Sequence, residues 1–175
     1  MKKVEKVILV NENDRKIGEE EKLLAHTMGK LHRAFSVFIF NSKKELLLQK
    51  RAITKYHSGG LWTNTCCGHP RPKEKTKNAA ERRLKEETGI KCSLKKIFSF
   101  KYKTKFKNSL IENEFDHVYI GFSNKKPKQN HNEFSDLRWL SLKQIKKEIE
   151  LKPNLYTFWF RKIFTGLNKE LNSLD

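Results

Sequence analysis

The sequence predicts an α/β or α+β fold, a mixed β-sheet with helices packed against it. Three observations predict it: short apolar runs bounded by polar turns, one central segment with helical spacing closed by a glycine, and helix-patterned segments near the C-terminal end. Taken in order, residues 4–10 (VEKVILV) have strand composition, and Asn11-Glu12-Asn13-Asp14 supplies a turn. Glu19 to Thr27 fits a short helix. Phe35 to Phe40 and Leu46 to Arg51, joined by Asn41-Ser42-Lys43-Lys44, make a hairpin. Gly59-Gly60 breaks the pattern, so Leu61 to Pro72 is expected as loop or short strand. The Ala79, Ala80, Arg83, Leu84, Glu87 spacing predicts a helix over 77–88, with Gly89 past its end. Strands are expected around 94–106, 115–122 and 137–140. A helix follows from Ser141 to about Leu151, and Pro153 opens a final amphipathic helix to about 172. One domain covers 1–175, with residues 1–30 and the last helix as elaborations.

The chain has 175 residues, 37% of them hydrophobic, including Phe 12 and Trp 3, enough for a buried core. No apolar run nears the ~18 residues that span a bilayer. Met1-Lys2-Lys3-Val4-Glu5-Lys6 lacks the apolar segment of a secretory signal, so we expect no membrane and a cytoplasmic location. Cys66, Cys67 and Cys92, an odd number with two adjacent, make a poor disulfide framework. Lys+Arg 38 against Asp+Glu 20 gives +18. Such a charge suits a polyanion, but the cations are 30 Lys and 8 Arg spread along the chain, whereas phosphate and base forks favour arginine. The charge therefore reads as solvated surface, with no nucleic-acid partner; a small diphosphate suits it equally well.

One segment decides more. Gly68, Glu74, Arg82, Leu84, Glu86, Glu87, Gly89 and Ile90 match the pattern G-x5-E-x7-R-E-U-x-E-E-x-G-U, with Arg83 where a glutamate is expected. A loop and helix of this kind aim carboxylates at a divalent cation that bridges diphosphate oxygens. The segment resembles the Nudix motif. With its flank Thr63-Asn64-Thr65-Cys66-Cys67-Gly68-His69-Pro70, it resembles type 1 isopentenyl-diphosphate isomerases, in which an arginine replaces that glutamate. The likeness extends to His26-Thr27, Leu31-His32-Arg33-Ala34-Phe35-Ser36, Gln49-Lys50-Arg51-Ala52, Gly60-Leu61-Trp62 and Glu112-Asn113-Glu114, over roughly residues 4–165.

The resemblance implies a Nudix-type fold and a 1,3-allylic proton shift between isopentenyl and dimethylallyl diphosphate, through a tertiary carbocation. It implies Cys67 and Glu114 as the acid and base, His26, His32, His69, Glu112 and Glu114 around Zn2+, Mn2+ or Mg2+, and Glu87 on a Mg2+ brought by the substrate. Lys22, Arg51, Lys55 and Arg83 are the implied phosphate contacts, Tyr102 and Trp159 the aromatic faces for the cation. Arg83 exchanges a metal ligand for a phosphate clamp, which favours keeping the diphosphate intact. Arg82 is expected to orient the helix carboxylates, and Cys66 to point away from Cys67 into packing. His57, His117 and His131 match nothing in the family and take a structural reading. A Nudix hydrolase of a nucleoside diphosphate derivative is the alternative function. We expect a monomer or weak homodimer.

Overall fold

The computed structural model describes residues 4–128 and 130–172; the ends of the predicted domain, 1–3 and 173–175, lie outside them. Among the described residues, nine strands form one mixed sheet with four α-helices packed on its two faces. The central strand is β3 (His32–Phe40), parallel to β8 (Ile111–Phe122), which pairs antiparallel with β7 (Lys95–Lys105). Its alternation builds the layers. Phe35, Val37 and Ile39 meet Ala80 and Leu84 of α2 (Thr76–Thr88), while Phe38 and Phe40 meet Ile145 of α3 (Leu142–Leu151) and Phe160 of α4 (Phe158–Asn172). No helix among the described residues is long and apolar enough to cross a membrane.

Three expectations are corrected. Residues Glu19 to Glu21 are not helical: they belong to β2 (Lys16–Glu21), where Glu19 pairs with Ile8 of β1 (Lys6–Val10), and helix α1 covers only Lys22–Met28. The competing backbone pairing wins because a strand already lies alongside. Pro153 opens a 3₁₀ turn, Pro153–Leu155, not the final helix; Thr157 donates its N–H to the Trp62 carbonyl, and helix begins at Phe158. The β3–β4 hairpin also closes only at its turn. Phe40 faces Leu46, after which β4 (Glu45–Arg51) leaves to pair with β9 (Phe134–Ser141) and β5 (Trp62–Thr63), while β3 takes β6 (Cys66–Gly68).

The residues between β5 and β6 fill that split. Thr65 Oγ1 accepts from Ile39 N of β3 at 3.0 Å and donates to Leu47 O of β4 at 2.7 Å. Asn64 Nδ2 donates to the Val37 and Cys66 carbonyls, and Asn64 Oδ1 accepts from Trp159 Nε1 at 3.3 Å. Both residues are wholly buried, so these bonds satisfy backbone groups that the parting strands would leave bare. The helix predicted over 77–88 and the strands after it are present, β8 beginning four residues earlier than expected. Ser141 caps α3 reciprocally with Gln144.

Candidate active site

A cavity of about 150 Å³ opens where β3 and β4 part. Cys67 and His69 reach it from β6 and the loop after it, Glu112, Glu114 and Tyr102 from β8 and β7, Arg51 from β4, Trp159 from α4, and Lys22 from α1. Cys66 is fully buried in the α2 layer, whereas Cys67 lines the cavity, as strand alternation requires. All three cysteines are free.

Histidine and glutamate groups gather on one side, His57, His69, Glu112 and Glu114 lining the cavity and His26 and His32 fully buried beside them. His26, His32 and His69 with Glu114 place their ligand atoms within 4.8 Å of one another. His69 Nε2 is 3.0 Å and His32 Nε2 3.6 Å from Glu114 Oε1. Carbonyls hold the far side of two rings: His26 Nδ1 lies 2.7 Å from Lys22 O, and His32 Nδ1 2.8 Å from Lys30 O. The Nε2 atoms of His26 and His32 are buried without hydrogen-bond partners. Oriented imidazoles with idle lone pairs converging on a carboxylate fit a divalent metal. Glu112, expected in the same set, lies in an adjoining group with His26 and His57, its Oε1 3.1 Å from His57 Nε2. His57, read as structural in the sequence, is therefore part of this wall. Nothing in its sequence neighbourhood signals this, because the partner carboxylate is supplied by β8.

Burial sets the charges. It depresses His26 to about 4, helped by His32, and His57 and His69 to about 3. Burial would also raise Glu114, but the neighbouring His32 and His69 hold it well below the usual carboxylate range; Glu112, buried beside that charge, is pushed well above it. Tyr102 donates to both, at 2.7 Å to Glu114 Oε2 and 3.0 Å to Glu112 Oε2. Burial pushes the Cys67 thiol up to about 12, with Arg51 opposing and Glu87 and Glu114 reinforcing the shift. Cys67 is thus a protonated thiol facing a room that contains an ionised carboxylate.

Cations line the other wall, each already held by the protein. Lys22 pairs with Glu5 at 3.0 Å and Lys55 with Glu133 at 2.5 Å. Arg83 bridges Glu87 at 2.5 Å, Glu86 at 3.0 Å and Glu133 at 3.3 Å. Arg51 donates to the His57 carbonyl, lies 4.0 Å from Cys67 Sγ and 5.3 Å from the Trp159 ring, and keeps a buried Nε unpartnered. Arg82 forks onto Glu74 at 2.8 and 2.9 Å and reaches Glu86 at 3.2 Å, so it orients the helix carboxylates as expected. Glu5 and Glu133 are further residues that sequence reasoning missed.

Comparisons with known proteins show the family. A family model described as NUDIX domain matches residues 30–160. The chain is 52% identical over 155 residues to isopentenyl-diphosphate Delta-isomerase 2 of Aromatoleum aromaticum, covering 89% of this chain and 82% of that protein. The enzyme of the same name from Photorhabdus laumondii is also 52% identical, over 162 residues, 93% of this chain and 92% of that one. The chain belongs to the isopentenyl-diphosphate Delta-isomerases of the NUDIX family. Solved structures agree on the fold of that family: the MutT protein of Methanosarcina mazei superposes with a TM-score of 0.66 at 22% identity, over 80% of this chain and 94% of that one. A Deinococcus radiodurans protein superposes at 0.69 with 24% identity, covering 85% and 90%. Within an isopentenyl-diphosphate Delta-isomerase, Arg83 gains a concrete meaning: it neutralises two helix carboxylates, Glu86 and Glu87.

Proposed function

We propose that the chain interconverts isopentenyl and dimethylallyl diphosphate, with Cys67 and Glu114 as the proton-handling pair. The observation that carries the reading is the convergence of a protonated thiol and an ionised carboxylate on one cavity, beneath a wall of cations. The reaction moves a double bond. A proton is added to the terminal alkene carbon, leaving a tertiary carbocation, and another is removed from the carbon on the diphosphate side. That sequence needs an acid, a base and little water.

Lys22, Lys55 and Arg83 bind the diphosphate by exchanging their present carboxylate partners for phosphate oxygens, and Arg51 by turning from the His57 carbonyl. Arg51, between Cys67 and Trp159, ties the phosphate end to the reacting end. Trp159, its indole N–H held by Asn64, turns its ring toward the alkene, where cation–π attraction of about 2 kcal/mol or more is available in a dry site. Tyr102 adds an aromatic edge and holds Glu114 by its hydroxyl. A divalent ion on His26, His32, His69 and Glu114, Mn2+ or Zn2+ by the preference of imidazole, and a Mg2+ on Glu87 would supply fixed positive charge that orients Glu114 and neutralises the diphosphate. Glu112 joins the first ion only if its carboxylate turns from His57. A monomer suffices, since every group named comes from one chain, and the free thiols suit the cytoplasm.

Hydrolysis is the competing reaction, and Arg83, paired with Glu86 and Glu87 where the hydrolase pattern has a glutamate, weighs against it, as does the Cys67–His69 signature. Purified protein with Mg2+ and isopentenyl diphosphate, followed by proton NMR, should yield the two vinylic methyl signals of dimethylallyl diphosphate. Release of phosphate or pyrophosphate without those signals would reject the isomerase.

A further inference from the structure

Glu133 spans two of the cations assigned to the diphosphate. Its Oε2 lies 2.5 Å from Lys55 Nζ and its Oε1 3.3 Å from the Arg83 guanidinium, one oxygen to each, as two oxygens of a phosphate group would bridge them. Its side chain is 19% exposed, against 63% for Glu5, the partner of Lys22, so water screens the Glu133 contacts less. The backbone beneath it is fixed. Glu133 N donates to the Asn130 carbonyl, its own carbonyl accepts from Ala52 N at 3.0 Å, and the next residue, Phe134, is buried and pairs with Arg51. Lys55 is tied to the same point, donating its N–H to the Ala52 carbonyl at 3.1 Å. Side-chain torsions alone therefore let the carboxylate swing while the cations keep their places.

We propose that Glu133 is an internal competitor of the diphosphate: it yields Lys55 and Arg83 when substrate binds and reclaims them to expel product. The inference rests on the reading of Lys22, Arg51, Lys55 and Arg83 as the diphosphate clamp. Substrate and product carry the same diphosphate, so the clamp holds both equally and by itself would retain the product. A carboxylate tethered beside the clamp opposes that. Anchored within reach, it meets the two cations at a high effective concentration and takes them back as soon as a phosphate oxygen loosens. Arg83 also pairs with Glu86 and Glu87 of its own helix, so it stays positioned while Glu133 and phosphate exchange.

The test uses inorganic pyrophosphate with Mg2+, which carries the phosphate chemistry without the alkene. Its affinity is read by isothermal titration calorimetry and its dissociation by stopped-flow tryptophan fluorescence. Glu133→Gln should bind pyrophosphate about 3- to 10-fold more tightly than wild type, through slower dissociation. A carboxylate that only held Lys55 and Arg83 in position would leave binding weaker when removed, so equal or weaker binding by the variant would overturn the competitor. In a Lys55→Met background the same substitution should gain less, because the shorter contact is already gone. An undiminished gain there would mean charge acting at a distance and would overturn the exchange. No binding of pyrophosphate to wild type would overturn the clamp itself. Glu133→Ala, which also removes the carboxylate, gives the same readings if the amide variant does not fold.

Discussion

Tyr102 and Glu114 face each other across the β7–β8 pair, and the tyrosine hydroxyl donates to Glu114 Oε2 at 2.7 Å. Directly opposed residues of an antiparallel pair present side chains on one face, so the sheet register itself delivers the donor. Burial and the adjacent carboxylates raise the Tyr102 hydroxyl well above its ordinary range, which keeps it a donor at every working pH. Tyr102→Phe keeps the ring and removes that bond together with the weaker one to Glu112 Oε2. A hydrogen bond to a charged group is worth about 1.5–3 kcal/mol, so kcat should fall by about 10- to 100-fold with KM little changed. An unaltered kcat would reduce Tyr102 to its aromatic surface.

Cys67→Ala and Glu114→Gln should each abolish turnover, to below a thousandth of wild type, while far-UV circular dichroism stays native. Turnover near wild type in either would refute the acid–base pair.

The position of the Cys67 thiol also predicts a pH profile. An ordinary thiol ionises near 8.5; in this site ionisation is delayed to about 12. Because the folded value is raised, the proton is retained as pH climbs through the ordinary range and is lost only near the raised value. Alkylation of Cys67 by iodoacetamide at pH 8.5, followed by peptide mass spectrometry, should be at least about ten-fold slower in folded than in urea-unfolded protein. Equal rates would contradict the half-buried, protonated thiol.

Arg83→Gln removes the cation that bridges Glu86, Glu87 and Glu133. Loss of a charge-assisted phosphate contact should raise KM about 10- to 100-fold. The Ki of inorganic pyrophosphate should rise in parallel, since the lost contact is to phosphate and not to the hydrocarbon. A KM within two-fold of wild type, roughly 0.4 kcal/mol, would remove Arg83 from the diphosphate clamp.

Thr65→Val tests the wedge between β3 and β4. It strips partners from the Ile39 N–H and the Leu47 carbonyl, both buried, at about 1–3 kcal/mol each. Urea unfolding should show a loss of about 2–4 kcal/mol in stability. A loss below about 0.5 kcal/mol would mean that water or a shifted strand satisfies both groups.

The sequence by itself determined the chemistry-bearing residues near the motif helix. Gly68, Glu74, Arg82, Arg83, Glu86 and Glu87 are spaced by a loop and a helix whose geometry is local, and Cys67 and Cys66 are separated by strand alternation, also local. The helix–sheet layering followed from the same periodicities. Only the tertiary structure decided what faces those residues. Glu133 reaches Lys55 and Arg83 across 78 and 50 positions of chain because β9 pairs with β4, and Glu112 of β8 meets His57 of the loop after β4 across 55 positions. The β3–β4 hairpin looked continuous because both strands are apolar. Their parting is driven by better partners, β8 and β9, that lie 70 or more residues along the chain. Local spacing prescribes which atoms can do chemistry; long-range strand pairing prescribes which of them meet.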